Sequence, residues 1–180
     1  MRKIIIGLGG FGRNFIDDIK SSIDTLVITD MDSIKNSKAK YKINLNKDSF
    51  ENIIEDTIKN YDQIIIVSGL GGKSSTKLLQ IVKILEKNKK VLEVIVNKPF
   101  SWEGEERTRL SESIIDKLVD QFITIKIFDN NNMKNYIDKD IGTNEAFKIH
   151  SNVIYEYIVQ KYISENVTIQ HPQSPKNRVF

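Results

Sequence analysis

KIIIGLGGFGRN, Lys3 to Asn14, and QIIIVSGLGGKSST, Gln63 to Thr76, are the two stretches whose reading decides the fold. In each, a short aliphatic run breaks into glycines and passes into a helix-like segment. Main-chain N–H groups at a helix start form an anion site, and glycine lets a ligand approach them closely. Two such turns on one sheet can hold a phosphate chain from both sides.

Outward from these turns, short β-branched runs alternate with longer amphipathic ones, the pattern of repeated βαβ units around a parallel sheet. Strands are expected near Lys3 to Ile6, Thr25 to Thr29, Lys42 to Leu45, Gln63 to Val67, Val91 to Val96 and Phe122 to Ile127. Apolar residues at helical spacing predict helices over Gly10 to Ser21, Phe50 to Lys59, Thr76 to Asn88, Trp102 to Val119 and Glu145 to about Ser164, the last capped by Thr143 or Asn144. The expected class is α/β: a three-layer, Rossmann-like parallel sheet with helices on both faces, ending in a long helix. Residues 1–164 form one domain in this reading, and 165–180, with two of the three prolines and no periodicity, form a tail.

Composition narrows the classes. The 180 residues hold 27 Lys and Arg against 24 Asp and Glu, spread in surface runs such as Glu86 to Lys90 without interleaved aromatics, so no nucleic-acid partner is expected. There is no cysteine, and the two histidines, His150 and His171, are far apart in sequence, so no thiolate metal site is possible and none is assigned to the histidines. No apolar run approaches the ~20 residues of a membrane-spanning helix. MRKIII reaches glycine too soon for a signal peptide. A reducing cytoplasm is the expected compartment.

The first turn also satisfies GxGxxG at Gly7, Gly9 and Gly12, with Asp30 ending the second strand, where a dinucleotide enzyme binds ribose hydroxyls. Dinucleotide, another nucleotide and a purely structural turn all remain open on that motif. Asn14 adds an amide one turn into the helix, able to pair with a base or to sit idle on the surface. In the second turn, GGKSS resembles a P-loop, but the required spacing puts Val67 where a P-loop has its first glycine. What remains is Gly71, Gly72, Lys73, Ser74, Ser75 and Thr76 at a helix start, suited to phosphate or to simple capping.

Taken together, these segments resemble the nucleotide-binding domain of the FtsZ/tubulin family. GLGGFGRN resembles the family's GxGGxGxN, and IIIVSGLGGKSST its GGGTGTG signature. VNKPFSWEGEERTR resembles TKPFxFEGxxR, FITI stands where the family has LITI, and EAFKIHSN resembles DAFxxAND at the start of its long central helix. The resemblance implies GTP or GDP, with magnesium reaching it through the phosphates. Phosphate contacts would fall to Gly9, Gly10, Gly12, Gly71, Gly72, Lys73, Ser74, Ser75 and Thr76. Ribose and base contacts would fall to Asn14, Glu103, Arg107, Phe147 and Asn152. No catalytic residue is assigned within the chain.

The departures from the family's pattern bear on function. Lys73, Ser75 and Lys77 replace glycines of the signature, the GAGxxP loop has no counterpart, and Ser151 and Asn152 replace Asn and the guanine-reading Asp. Family members carry a second domain whose acidic loop completes the neighbour's site; nothing here resembles it, so self-sufficient hydrolysis is not expected. The resulting expectation is a guanine-nucleotide-binding regulator, cap or component of filaments, partnered by a full-length FtsZ/tubulin-like protein or by itself. Two alternatives stand: a scaffold that keeps the fold without the ligand, and an NAD-dependent enzyme built on GLGGFG and Asp30.

Overall fold

A computed structural model describes residues 1–88, 91–121 and 123–163. Six strands, β1 (Lys3–Leu8), β2 (Asp24–Thr29), β3 (Tyr41–Asn44), β4 (Gln63–Gly69), β5 (Val91–Lys98) and β6 (Thr124–Asp129), form one sheet in the order β3-β2-β1-β4-β5-β6. Every neighbouring pair is parallel. The helices are α1 (Gly9–Asp18), α2 (Met31–Ile34), α3 (Phe50–Ile58), α4 (Leu78–Lys87), α5 (Glu105–Val119) and α6 (Thr143–Tyr162).

The central strands read as unbroken aliphatic runs because both of their faces are covered. Ile4, Ile5, Ile6, Ile64, Ile65, Ile66 and Val67 are all fully buried. Alternation divides them. Ile4, Ile6, Ile64 and Ile66 join one core with Ile54 and Ile58 of α3, Ile81, Val82 and Leu85 of α4 and Leu118 of α5. Ile5, Val27, Ile65, Val67 and Ile95 join the other with Phe15 and Ile16 of α1 and Ile154 and Ile158 of α6. This is the three-layer α/β architecture expected from the sequence.

From β1 the chain winds outward to β2 and β3, then returns to β4 on the other side of β1. The order therefore reverses between β1 and β4, and in such sheets the crevice beyond the carboxyl ends at that point receives ligands. Gly7 pairs in register with Val67 and Leu8 with Ser68, so the two glycine turns leave the sheet side by side.

Several element boundaries differ from expectation. β4 and β5 run two residues further than the aliphatic pattern, to Gly69 and Lys98, because main-chain pairing continues past the last apolar side chain. The helix expected from Trp102 is split: Ser101–Glu103 is a 3-10 turn, Gly104 sits at φ +112°, and α5 begins at Glu105. A φ in that range is open to glycine and breaks a helix for other residues. The second glycine turn likewise enters through a 3-10 segment, Lys73–Lys77, before α4. Gly142, not Thr143 or Asn144, is the N-cap of α6; both fall inside the helix and no side chain caps it. Phe122, Ser164 and the tail 165–180 lie outside the described residues.

The far half of α6 is latched to β5. Glu93, 2% exposed, accepts hydrogen bonds from Tyr157 Oη at 2.6 Å and Lys161 Nζ at 2.9 Å, and also from Tyr162 Oη. Burying a carboxylate is costly unless its oxygens are supplied with donors in this way. The latch fixes how α6 lies across the sheet, and so where its amino-terminal half meets the crevice.

Candidate functional site

A cavity of about 410 Å³ occupies the crevice. Its wall is drawn from five places: Gly10, Phe11, Asn14 and Asp18 of α1, Gly69 at the end of β4 with Leu70, Gly72 and Ser74 after it, Asn97 and Pro99 at the end of β5, Glu103, Arg107 and Asn130 beyond them, and Phe147 and Ser151 of α6.

The glycines of the two turns divide into packers and liners. A Cβ on Gly12 would lie 2.6 Å from Val67 O and from Gly7 C, so this glycine lets α1 press onto the sheet. Gly9 has φ +70°, and a Cβ there would lie 2.0 Å from Ser74 Oγ, which shows how closely the turns touch. Gly10 and Gly72 are different: a Cβ on either would meet nothing within 4 Å, and both line the cavity. At Gly10 the opening faces the first turn of α1, whose amides lack partners within the helix and which carries no acidic residue.

The hydroxyl row after β4 is only partly available. Ser75 is fully buried and donates to Gly72 O at 2.5 Å, while Thr76 Oγ1 donates to Lys73 O at 2.8 Å. Ser74 alone of the three lines the cavity. Lys73 is exposed and outside the lining, so its ammonium does not fill the hollow.

Next to the second turn, where a Cβ on Gly71 would lie 3.0 Å from Arg107 Cβ, Arg107 Nη1 donates to Glu103 Oε2 at 2.6 Å, and Glu103 Oε1 accepts the Phe100 N–H at 2.8 Å. Glu103 is thereby tied both to a side-chain and to a main-chain donor. Phe147 stands edge-on to Phe100, with ring centroids 6.2 Å apart.

Beneath the cavity lies a buried polar chain. Asn97 Nδ2 donates to Asn130 Oδ1 at 2.7 Å, and Asn97 Oδ1 lies 2.7 Å from His150 Nε2. Since that oxygen can only accept, Nε2 carries the proton, and His150 Nδ1 accepts from Tyr136 Oη at 2.5 Å. Every contact is satisfied by neutral imidazole. Burial pushes the His150 pKa down to about 4 and raises that of the Tyr136 hydroxyl.

The structure thus gathers Gly10, Gly72, Ser74, Asn14, Glu103, Arg107 and Phe147 from the sequence-derived set into one wall. Gly9, Gly12, Gly71, Lys73, Ser75, Thr76 and Asn152 lie outside that lining, as does Asp30. On α6 the cavity meets Ser151, while the neighbouring Asn152 faces solvent. Asp18 carries no motif in the sequence, and Ser151 stands out there only as a departure from the family's pattern, although each follows a chosen residue, Asn14 or Phe147, by four positions. Asn97 and His150 are 53 residues apart, and no local pattern announces their contact.

A family model described as Tubulin/FtsZ family, GTPase domain, matches residues 16–138. The chain belongs to the Tubulin/FtsZ family. That span begins past the first glycine turn and ends before α6, so for those two regions the likeness rests on fold. An empty FtsZ dimer from M. jannaschii is 21% identical with a TM-score of 0.74, over 87% of this chain and 53% of that one. CetZ from Methanosaeta thermophila gives 0.77 at 16% identity, over 95% and 56%. CetZ1 from Haloferax volcanii, a GDP-bound monomer, gives 0.69 at 15%, over 87% and 58%. The chain thus spans a little over half the length of these Tubulin/FtsZ-fold structures. Among the described residues, no helix is long and apolar enough to cross a membrane, and no cluster of three metal-ligating side chains occurs.

Proposed function

We propose that this chain binds a guanine nucleotide, GTP or GDP, with its phosphates between the first turn of α1 and the Gly72–Ser74 arc. Glu103 and Arg107 then take the ribose hydroxyls, and Phe147 covers the base. Magnesium joins through the phosphates. The observation that carries this reading is the pair of open glycines, Gly10 and Gly72, facing one cavity at the reversal of strand order.

No hydrolytic step is assigned to the chain. The two carboxylates of the wall, Asp18 and Glu103, are hydrogen-bonded to Ser151 and to Arg107 and the Phe100 N–H, and neither is given a hydrolytic role. The role that follows is regulatory: the nucleotide face receives a full-length FtsZ/tubulin-like partner and caps or modulates its filament. Sedimentation of such a partner with excess of this chain tests the role, and unchanged polymer mass and length refute it.

A second reading, a ligand-free scaffold, draws support from the hydroxyls of Ser75 and Thr76, which are turned into their own turn. Chromatography of the ligand released on denaturing fresh protein separates the readings. Guanine nucleotide supports the first, and NAD would move the chain to dehydrogenase chemistry. No ligand, with a melting temperature unmoved by millimolar GDP and magnesium, supports the scaffold.

A further inference from the structure

Two helices place side chains at four-residue spacing along one end of the cavity: Asn14 and Asp18 on α1, Phe147 and Ser151 on α6. Residues four apart share a helix face, so these form two facing stripes. The stripes are joined where Ser151 Oγ donates to Asp18 Oδ2 at 3.0 Å. That contact uses one lone pair of Oδ2, so Oδ1 and the second lone pair of Oδ2 can still accept from a ligand. One turn away, Arg13 Nη1 donates to Asn14 Oδ1 at 2.6 Å, which occupies the amide oxygen and leaves the Nδ2 hydrogens as donors.

We infer that Asp18 is the specificity-determining residue of the proposed nucleotide site, reading the N1–H and N2–H2 donors of guanine while Asn14 Nδ2 donates to O6. The inference rests on the nucleotide reading above. A carboxylate accepts two parallel donors at once, and hydrogen bonds to a charged acceptor are the stronger kind. Adenine offers a single donor nitrogen on that edge and leaves half of the pairing unmade. Asn152, the residue that sequence comparison nominates for this task, faces solvent outside the lining. Asp18 therefore does from α1 what the exposed α6 amide is not placed to do.

The test is calorimetric titration of the full chain, stripped of ligand, with GDP, inosine diphosphate, xanthosine diphosphate and ADP, repeated on Asp18→Asn and Ser151→Ala. Inosine lacks the N2 amino group, and xanthine replaces it with an oxygen. Wild type is expected to prefer GDP over inosine diphosphate by about tenfold, the size of one hydrogen bond to a charged group. Asp18→Asn should lose that preference and gain affinity for xanthosine diphosphate, because its amide donates to the new oxygen. Ser151→Ala should keep the preference, since it removes only the tether between helices. A GDP preference unchanged in Asp18→Asn, with melting temperature near wild type, overturns the assignment and leaves nucleotide binding intact. Loss of preference in both variants overturns it in favour of a positioning contact. Wild type binding none of the four overturns the nucleotide reading itself.

Discussion

The two glycine turns look equivalent in sequence, yet the structure makes them unlike. The first opens a ten-residue α-helix directly, with Gly10 facing empty space and no side chain competing for the amides of the first turn. The second passes through a 3-10 segment in which Ser75 and Thr76 satisfy the turn's own carbonyls. An anion held between them meets an organised helix terminus on one side and a partly self-satisfied loop on the other. The difference teaches that a glycine-rich turn becomes a binding element through where its free donors end up, which composition does not reveal.

Side chains at the two open glycines measure the asymmetry most strongly. A Cβ at Gly10 would meet nothing within 4 Å outside its own helix turn, so a valine there has open space for its first carbon, yet it would stand where the phosphates are proposed to lie. Gly10→Val is expected to weaken GDP binding about 100-fold or more, equivalent to ~3 kcal/mol. Gly72→Val should cost about tenfold, and both melting temperatures without ligand should stay near wild type. Equal losses at the two positions would erase the distinction between the turns. Gly12→Ala is the contrasting case: its Cβ would press on Val67 O and Gly7 C at 2.6 Å, so the fold itself should lose ~1–3 kcal/mol.

Acid should loosen the second turn before the first. Leu70 N–H donates to Asn97 O at 2.9 Å, and the Asn97 side chain is held by His150 and Asn130, so the turn hangs on the buried chain beneath it. The folded-state pKa of His150, about 4, lies below its ordinary value of 6.5. Between those values the unfolded chain binds a proton that the folded chain does not. This contribution is complete above pH 6.5 and lost as pH falls toward 4. From the size of the shift, stability at pH 5 should be about 2 kcal/mol lower than at pH 7, measured by urea denaturation. His150→Gln should flatten that slope. Hydrogen exchange at pH 5 should show amides of residues 70–75 opening more than those of α1, and the reverse order would break the link.

These contrasts also mark what the sequence could and could not convey. Strand runs such as Ile4 to Ile6 and Ile64 to Val67 announce a doubly covered parallel sheet because burial on both faces forces continuous aliphatic composition. The pairing of Glu103 with Arg107 was legible in their four-residue spacing, although Gly104 breaks the helix between them. The helix boundaries at Gly104 and Gly142 were not legible, since they depend on backbone angles rather than on apolar period. On α6 the pattern located the helix, but its rotation decided between Ser151 and Asn152, and that rotation goes with contacts to other elements, the buried Ile154 and Ile158 and the Glu93 hydrogen bonds. His150 offered nothing in isolation, because its partners Asn97 and Tyr136 come from other elements.

The smallest effects fall on adjacent serines, and their contrast is correspondingly sharp. Ser75 is buried with its hydroxyl on Gly72 O, whereas Ser74 lines the cavity and touches the first turn at Gly9. Ser75→Ala should lower stability by about 1 kcal/mol, the net worth of one hydrogen bond, and leave GDP affinity unchanged once the folded fraction is accounted for. Ser74→Ala should do the opposite, weakening GDP binding roughly fivefold with little change in melting temperature. If Ser75→Ala instead weakens binding as much as Ser74→Ala, the 3-10 segment must reopen around a ligand and offer both hydroxyls to it. The turn's inward hydrogen bonds would then belong to the empty site, and the asymmetry between the two turns would be a property of the unliganded protein only.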